Sequence, residues 1–471
     1  MDLLTVADAR AETGCAAVRR SSWLAVSWSV YIVVTVGAIL RHEPWADEAQ
    51  SWLLARDASL FDLWGRLLHY EGTTGLWQTL LHVLAAFRLP YAAMSAAGLA
   101  AAVAAAAVIL REAPFPIALR LAVPFTYYLC YQYAIIARSY NLLPLLVFLS
   151  AAWFEQAVDR PLRLTVVLCL TAAVSVHGLI LAAAVAGTAL RWGKLKPAYV
   201  LIFAAVCAVL IYCAWPASDQ AFVPRLNLSP DHWLDTVRQA FANAFTGESI
   251  TSFVLVALSL PLLWRGRALA FFLLAAFGLC TVDAIVYAQV WHFGTLLLAW
   301  ITALWLACRQ IRTPRLWELG PLAAVVAIQI CWTAAAVTYD IRNDYSGAHT
   351  AAQGIRELDL HGRRLFGIGF ACVAIQPYFS RNIFSNWNDG HPAAYWDWST
   401  RNHVNEDTLH LAATRPDYVI VGYKNEYERG VWDDLVRNAG YSQIRHFEGN
   451  TFWQTRIFEP ESFDLFYAGA H

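Results

Sequence analysis

The stretch His42-Glu43-Pro44-Trp45-Ala46-Asp47-Glu48-Ala49-Gln50-Ser51-Trp52 stands directly behind the apolar run 23–40. That run is close to the roughly 20 apolar residues that one helical crossing of a bilayer requires. Arg19 and Arg20 precede it, and the segment before them carries Asp2, Asp8 and Glu12 without a cleavage pattern. The expectation is an uncleaved first span with the N-terminus inside. The loop 41–71 then emerges outside, presenting two adjacent carboxylates beside the bilayer.

The rest of the chain agrees with a membrane setting. Of 471 residues, 58% are hydrophobic, 21 are Trp and only 15% are charged, against roughly a quarter charged in soluble domains. Mean hydropathy is +0.44. The fold class this predicts is a polytopic α-helical membrane protein with a small C-terminal α/β domain. A net charge of -1, with no basic tail, speaks against nucleic acid as a partner. Residues 339–471 hold 29 of the 69 charged residues in 133 positions. That step divides a membrane module, 1–338, from a soluble domain, 339–471. Cys372 is alone in the soluble part, so no disulfide can form within it. The other cysteines sit mostly in apolar runs, where they behave as small hydrophobes.

Further candidate spans lie near 91–110, 117–135, 140–157, 163–176, 178–190, 197–215, 249–264, 268–284, 287–307 and 319–338. The stretch 72–88 reads either as another span or as a helix at the interface. Taken as interfacial, it leaves five basic loops on the inner side: Arg111, Arg160/Arg163, Arg191/Lys194/Lys196, Arg265/Arg267 and Arg309/Arg312/Arg315. This gives eleven spans and an outer soluble domain. The loop 41–71, Arg138, His177, the loop 216–248 and the turn with Asp283 and His292 then share the outer face. Charges at membrane depth are costly unless they pair or line a cavity, so an outward cavity is expected.

Asp47 and Glu48 are the leading site residues. A carboxylate can accept the proton of an attacking hydroxyl, and a like-charged neighbour raises its basicity. The same pair also suits a solvated helix start, with Pro44 at a turn and the acids favouring the helix dipole. Arg138 at an outer helix end suits a phosphate by its forked geometry, or snorkels to the interface. His69 and His82 flank the 72–88 helix and also suit headgroup contacts. His177 sits on an apolar helix, where a backbone carbonyl often satisfies it. His42 with Asp47 and Glu48 lacks a recognisable metal ligand set, so no metal is assigned.

In the soluble part, 364–370, 417–421, 441–447 and 452–458 read as strands, and 348–358, 404–414 and 430–439 as helices. The loop Asn386-Trp387-Asn388-Asp389-Gly390-His391-Pro392, with Trp396 and Trp398, could stack sugar rings or pack against the membrane module.

The order of these features carries a resemblance. A first span, the outward Asp47-Glu48 pair, Tyr70-Glu71-Gly72 leading into an apolar helix, and Ala137-Arg138-Ser139-Tyr140 opening a span together resemble the GT-C glycosyltransferases. The bacterial protein O-mannosyltransferase and lipid A aminoarabinose transferase types are similar over most of 40–340. The resemblance implies a polyprenyl-phosphate-linked sugar as donor and transfer on the extracytoplasmic face of a bacterial cytoplasmic membrane. The acceptor is an envelope hydroxyl on a lipid, glycan or protein. It implies Asp47 as catalytic base with Glu48 in support, and Arg138, Tyr140, Glu71, His69, His177 and His292 as residues that bind the donor phosphate or substrate, the last two at outer turns. No cofactor is implied. Relatives follow the Glu71 position with a basic residue and prolines, whereas this chain has Gly72-Thr73-Thr74-Gly75. His69, Arg66 or His82 would then supply the missing cation. A lipid-glycan transporter and an inactive, partner-binding relative are the alternatives.

Overall fold

Proline starts several of the helices. Pro161, Pro197 and Pro230 occupy first turns, where a missing N–H costs nothing. The computed structural model of the chain describes residues 3–221, 226–311, 314–388, 391–402 and 404–469. Asp2, Arg312, Asp389 and Gly390, named above, lie outside the described residues. The structure is mostly helical, 67%, with a small C-terminal strand region.

Among the described residues four helices are long and apolar enough to cross a bilayer: Ser21–Ile39, Ala93–Glu112, Pro197–Ala214 and Trp317–Arg342. A fifth crossing arises if Pro230–Thr246 and Ser249–Arg265, bent by 74°, form one broken span. The remaining apolar helices are shorter, Leu76–Ala86, Ser139–Trp153, Pro161–Ala172, Val176–Arg191 and Leu269–Ile285 among them. By length and composition, then, four or five crossings stand where eleven were expected. The stretch 72–88 yields only the eleven-residue helix Leu76–Ala86.

The expected span 117–135 is not a regular helix. Ile117–Ala122 gives way to a 3-10 turn at Val123–Phe125, holding Pro124, and then to a π turn at Tyr128–Gln132. Irregular backbone at membrane depth is tolerated only where protein covers it, and Tyr127, Tyr128, Tyr131 and Tyr133 are all buried. Close approach elsewhere depends on small residues. The helix Ala93–Glu112 packs on the first helix and on Leu142–Trp153, with a buried face that includes Ala101, Ala102, Ala105 and Ala106. A Cβ on Gly98 would lie 2.6 Å from Asn141 Nδ2. Glycine there admits Asn141, whose Oδ1 accepts the Arg138 backbone N–H at 2.8 Å.

The C-terminal region carries a four-stranded sheet in the order β1-β2-β6-β3. Its strands are β1 (Leu365–Ile368), β2 (Tyr418–Tyr423), β3 (Tyr441–Phe447) and β6 (Ser462–Ala468). β1 and β2 are parallel, and β6 runs antiparallel to both β2 and β3. The expected strand 452–458 is instead a hairpin, β4 (Asn450–Trp453) with β5 (Arg456–Pro460), turned at Gln454 with φ 56. β6 was not anticipated, because Asp464 interrupts its apolar pattern. That carboxylate is buried and meets His446 at 2.7 Å and Arg429 at 3.4 Å.

The hairpin joins the two regions. Trp453 packs edge-on to Tyr127 at 5.3 Å between ring centres, and its Nε1–H donates to Asn243 Oδ1 at 3.2 Å. Phe452 stacks on Tyr339 at 4.3 Å, and the Gln454 amide donates to the Tyr127 hydroxyl. Truncating a buried Trp typically costs about 3–5 kcal/mol. Trp453→Ala is expected to lower the melting temperature of the detergent-purified chain and to speed proteolytic release of the C-terminal region. Unchanged melting and cleavage would show that the hairpin does not fasten the two regions.

Candidate active site

Behind the first helix, His42 is buried between two carboxylates. Its Nδ1 lies 3.0 Å from Asp340 Oδ2, at the end of the helix Gly320–Arg342, and its Nε2 lies 3.1 Å from Glu48 Oε2. Burial alone would lower the imidazole's pKa, but the attraction of Asp340 and Glu48 outweighs it and pushes the value up to about 10. The ring is therefore a cation donating to both acids. Glu48 is fully buried. Its Oε1 accepts the Ala137 amide at 2.6 Å, and its Oε2 also accepts the Trp45 amide at 3.2 Å. The carboxylate expected to support the base thus holds backbone together, and none of these contacts is with Asp47.

Asp47 points the other way. On a helix, neighbouring side chains diverge by about 100°, so burying Glu48 turns Asp47 outward. Its Oδ2 lies 3.0 Å from Arg138 Nη2 and its Oδ1 3.8 Å from Lys424 Nζ; the side chains are 21%, 19% and 26% exposed. Arg138 sits over the Trp291 ring at 4.4 Å and beside Trp45 at 5.6 Å. Lys424, just past β2, covers Trp45 at 4.9 Å and Phe370 at 4.8 Å. Among the described residues, buried Arg138 Nη1 has no hydrogen-bond partner. The result is a partly exposed cluster of one carboxylate, two cations and three aromatic faces. Such a cluster can bind an anion through its cations and accept a proton on Asp47.

Glu71 stands at the edge of this group. Its Oε1 accepts from Gln50 Nε2 at 2.8 Å. Burial pushes its carboxyl up to about 7; the Gln50 bond opposes the rise, and the charges of Asp47 and Asp397 add to it. Gln50 also exchanges two hydrogen bonds with the Trp396 backbone, at 2.8 and 2.9 Å. The tryptophan loop therefore packs on the helix Ala46–Asp57, and Trp387 and Trp396 are buried. Glu461, ahead of β6, accepts the Ala46 amide at 2.7 Å, and burial pushes its carboxyl up to about 8.

His69 lies outside the group. Its Nδ1 meets the Trp215 carbonyl at 2.7 Å, and its ring packs edge-on to Tyr212. His177, Tyr140 and His292 form a second, buried cluster with Asp283. The Tyr140 hydroxyl lies 3.2 Å from His177 Nδ1, and His177 Nε2 lies 2.8 Å from Asp283 Oδ1. His292 Nδ1 is 3.7 Å from the same oxygen. The two clusters are linked through Trp291, which neighbours His292 and touches Trp45 edge-on at 5.4 Å. Gly72-Thr73-Thr74-Gly75 is a turn with both glycines left-handed, φ 60 and 88. A Cβ on Gly75 would lie 2.6 Å from Leu68 Cδ1. Sequence reasoning missed Asp340, Lys424, Gln50 and Glu461. Only Asp340, an acid closing an apolar run, carried a signal.

No family model matches the chain, and neither a curated protein nor a solved structure does.

The buried network fixes a pH dependence. His42 has its folded value raised from 6.5 to about 10, so its stabilisation is full below about 6.5 and drains away as pH rises through about 10. Glu71 and Glu461, also raised, lose stability over a lower window, from about 4.5 up to about 7 and 8. Thermal unfolding between pH 8 and 10 should fall more steeply for wild type than for His42→Gln. Parallel curves above pH 8 would contradict a charged His42.

Proposed function

We propose that the chain is an integral membrane glycosyltransferase of the GT-C kind. It transfers a sugar, with inversion, from a polyprenyl-phosphate donor to an acceptor hydroxyl on the extracytoplasmic face of a bacterial cytoplasmic membrane. The acceptor is a lipid, glycan or protein of the envelope. In this reading the chain crosses the membrane eleven times, several times on short helices and once through the irregular stretch 117–135, with its N-terminus inside and residues 339–471 outside. The observation that carries the reading is the Asp47 carboxylate, partly open and in contact with both Arg138 and Lys424 beside three aromatic rings.

The chemistry follows from that balance of charge. Without donor, Asp47 partly neutralises the two cations. An arriving lipid phosphate competes for Arg138 and Lys424, which frees the carboxylate. The acceptor oxygen then forms its bond to the sugar C1 as the C1–O bond to phosphate breaks. The hydroxyl proton passes to Asp47, and the phosphate leaves with the electron pair of the broken C1–O bond, gaining a second negative charge that the two cations balance. Lys424 would thereby supply the cation that the Gly72–Gly75 turn lacks. In this reading the buried Glu48 and His42 have a supporting role, holding Asp47 and Arg138 in register.

General-base catalysis is typically worth about 10²–10⁴-fold. In membranes supplied with radiolabelled polyprenyl-phosphate sugars and envelope lipid extract, wild type should form a labelled product. Asp47→Asn should reduce its rate by about 10²-fold or more. Transfer by Asp47→Asn at the wild-type rate would remove Asp47 as base. No transfer by wild type from any donor would count against the enzyme.

A further inference from the structure

We propose that His177, Asp283 and His292 bind a divalent transition-metal ion of the zinc class. This site is separate from the Asp47 group, and the proposal does not rest on the glycosyl-transfer reading. The three side chains come from three segments: the first turn of Val176–Arg191, the last turn of Leu269–Ile285, and the turn before Gly294–Gln310. All three are buried, and one ligand atom from each lies within 4.8 Å of the other two. Two imidazoles and a carboxylate are a donor set that suits zinc and its first-row neighbours.

The distances fit such an ion. Ligands at about 2.1 Å from a tetrahedral centre stand about 3.4 Å apart. The separations from Asp283 Oδ1, 2.8 Å for His177 Nε2 and 3.7 Å for His292 Nδ1, bracket that value. The far side of His177 is already arranged for ligation. With Nδ1 protonated and directed at the Tyr140 oxygen at 3.2 Å, the Nε2 lone pair faces Asp283. A hydrogen-bonded partner behind a ligating histidine sets its tautomer and orientation in this way. For His292 Nδ1, the competitor is the Gln289 amide at 3.2 Å, a long contact that a metal bond displaces.

Charge favours the same reading. A lone His177–Asp283 pair would leave His292 beside a second imidazole, ring centres 4.5 Å apart, with a weaker share of one carboxylate. A divalent ion uses all three donors and leaves a fourth position for water or a ligand. The packing is tight around the site. A Cβ on Gly178, next to His177, would come 2.2 Å from the Thr171 carbonyl oxygen, so this turn is held by its neighbours.

The test uses the full-length chain purified in detergent, stripped with chelator, offered one equivalent of zinc and desalted. Elemental analysis should find about one zinc per wild-type chain, and less than about a tenth of that in Asp283→Ala and in a His177→Ala/His292→Ala double variant. Tyr140→Phe should retain zinc with affinity weakened about tenfold or more. Zinc K-edge absorption of wild type alone guards against misfolded variants: it should show nitrogen and oxygen ligands with scattering from two imidazoles. Wild type without bound zinc, a spectrum lacking imidazole scattering, or equal retention by the ligand variants would each overturn the proposal.

Discussion

The buried His42 cation between Glu48 and Asp340 is the constraint on which the site depends. Charges removed from water are held only by close partners, and losing one partner of such a group typically costs about 3–5 kcal/mol. Here the partners come from three places: the turn after the first helix, the first turn of Ala46–Asp57 and the end of Gly320–Arg342. Fixing them fixes Glu48, whose second oxygen holds the Ala137 amide. Arg138 follows Ala137 in the chain, so the same carboxylate that anchors the Asp47 helix also sets the guanidinium 3.0 Å from Asp47. Two adjacent acids with the same chemistry are thus divided by burial alone. One is spent on backbone, and the other remains available.

The C-terminal region takes part in this arrangement. Glu461 caps the first helical amide of Ala46–Asp57, Trp396 clasps Gln50, and the hairpin carrying Trp453 seats against Tyr127. These contacts bring Lys424 over Trp45 and towards Asp47. A cation placed by tertiary packing is harder to lose to solvent motion than one on a free loop. Aromatic faces beneath both cations also hold their positions without neutralising them.

What could be read from sequence was what periodicity and composition encode. The expected spans 197–215, 249–264 and 319–338 correspond closely to helices Pro197–Ala214, Ser249–Arg265 and Gly320–Arg342, because uninterrupted apolar runs have few other structures open to them. The run 117–135 looked equally apolar, yet Pro124 and its four tyrosines fold irregularly under protein cover. Apolarity reports burial, not helicity. Asp47 and Arg138 were each legible as site candidates, but their contact at 3.0 Å was not, since it joins segments far apart in the chain. Nor was the division of labour between Asp47 and Glu48, since it depends on which face of one turn meets His42. Lys424 gave no local signal, because a lysine after a strand in a polar domain is ordinary until the domain is docked. His292 falls beside a buried acid and a second imidazole, whereas His69 meets a backbone carbonyl and the Tyr212 ring.

In the proposed function, Arg138 of the membrane module and Lys424 of the C-terminal region together hold the donor phosphate. The most direct test is calorimetric binding of a short polyprenyl phosphate to the purified full chain, comparing wild type with Lys424→Ala and Lys424→Arg. A charge-assisted phosphate contact is worth roughly 1.5–3 kcal/mol, or about tenfold or more in affinity. The account predicts a loss of that size for Lys424→Ala and recovery in Lys424→Arg. Binding that is unchanged in Lys424→Ala would contradict it.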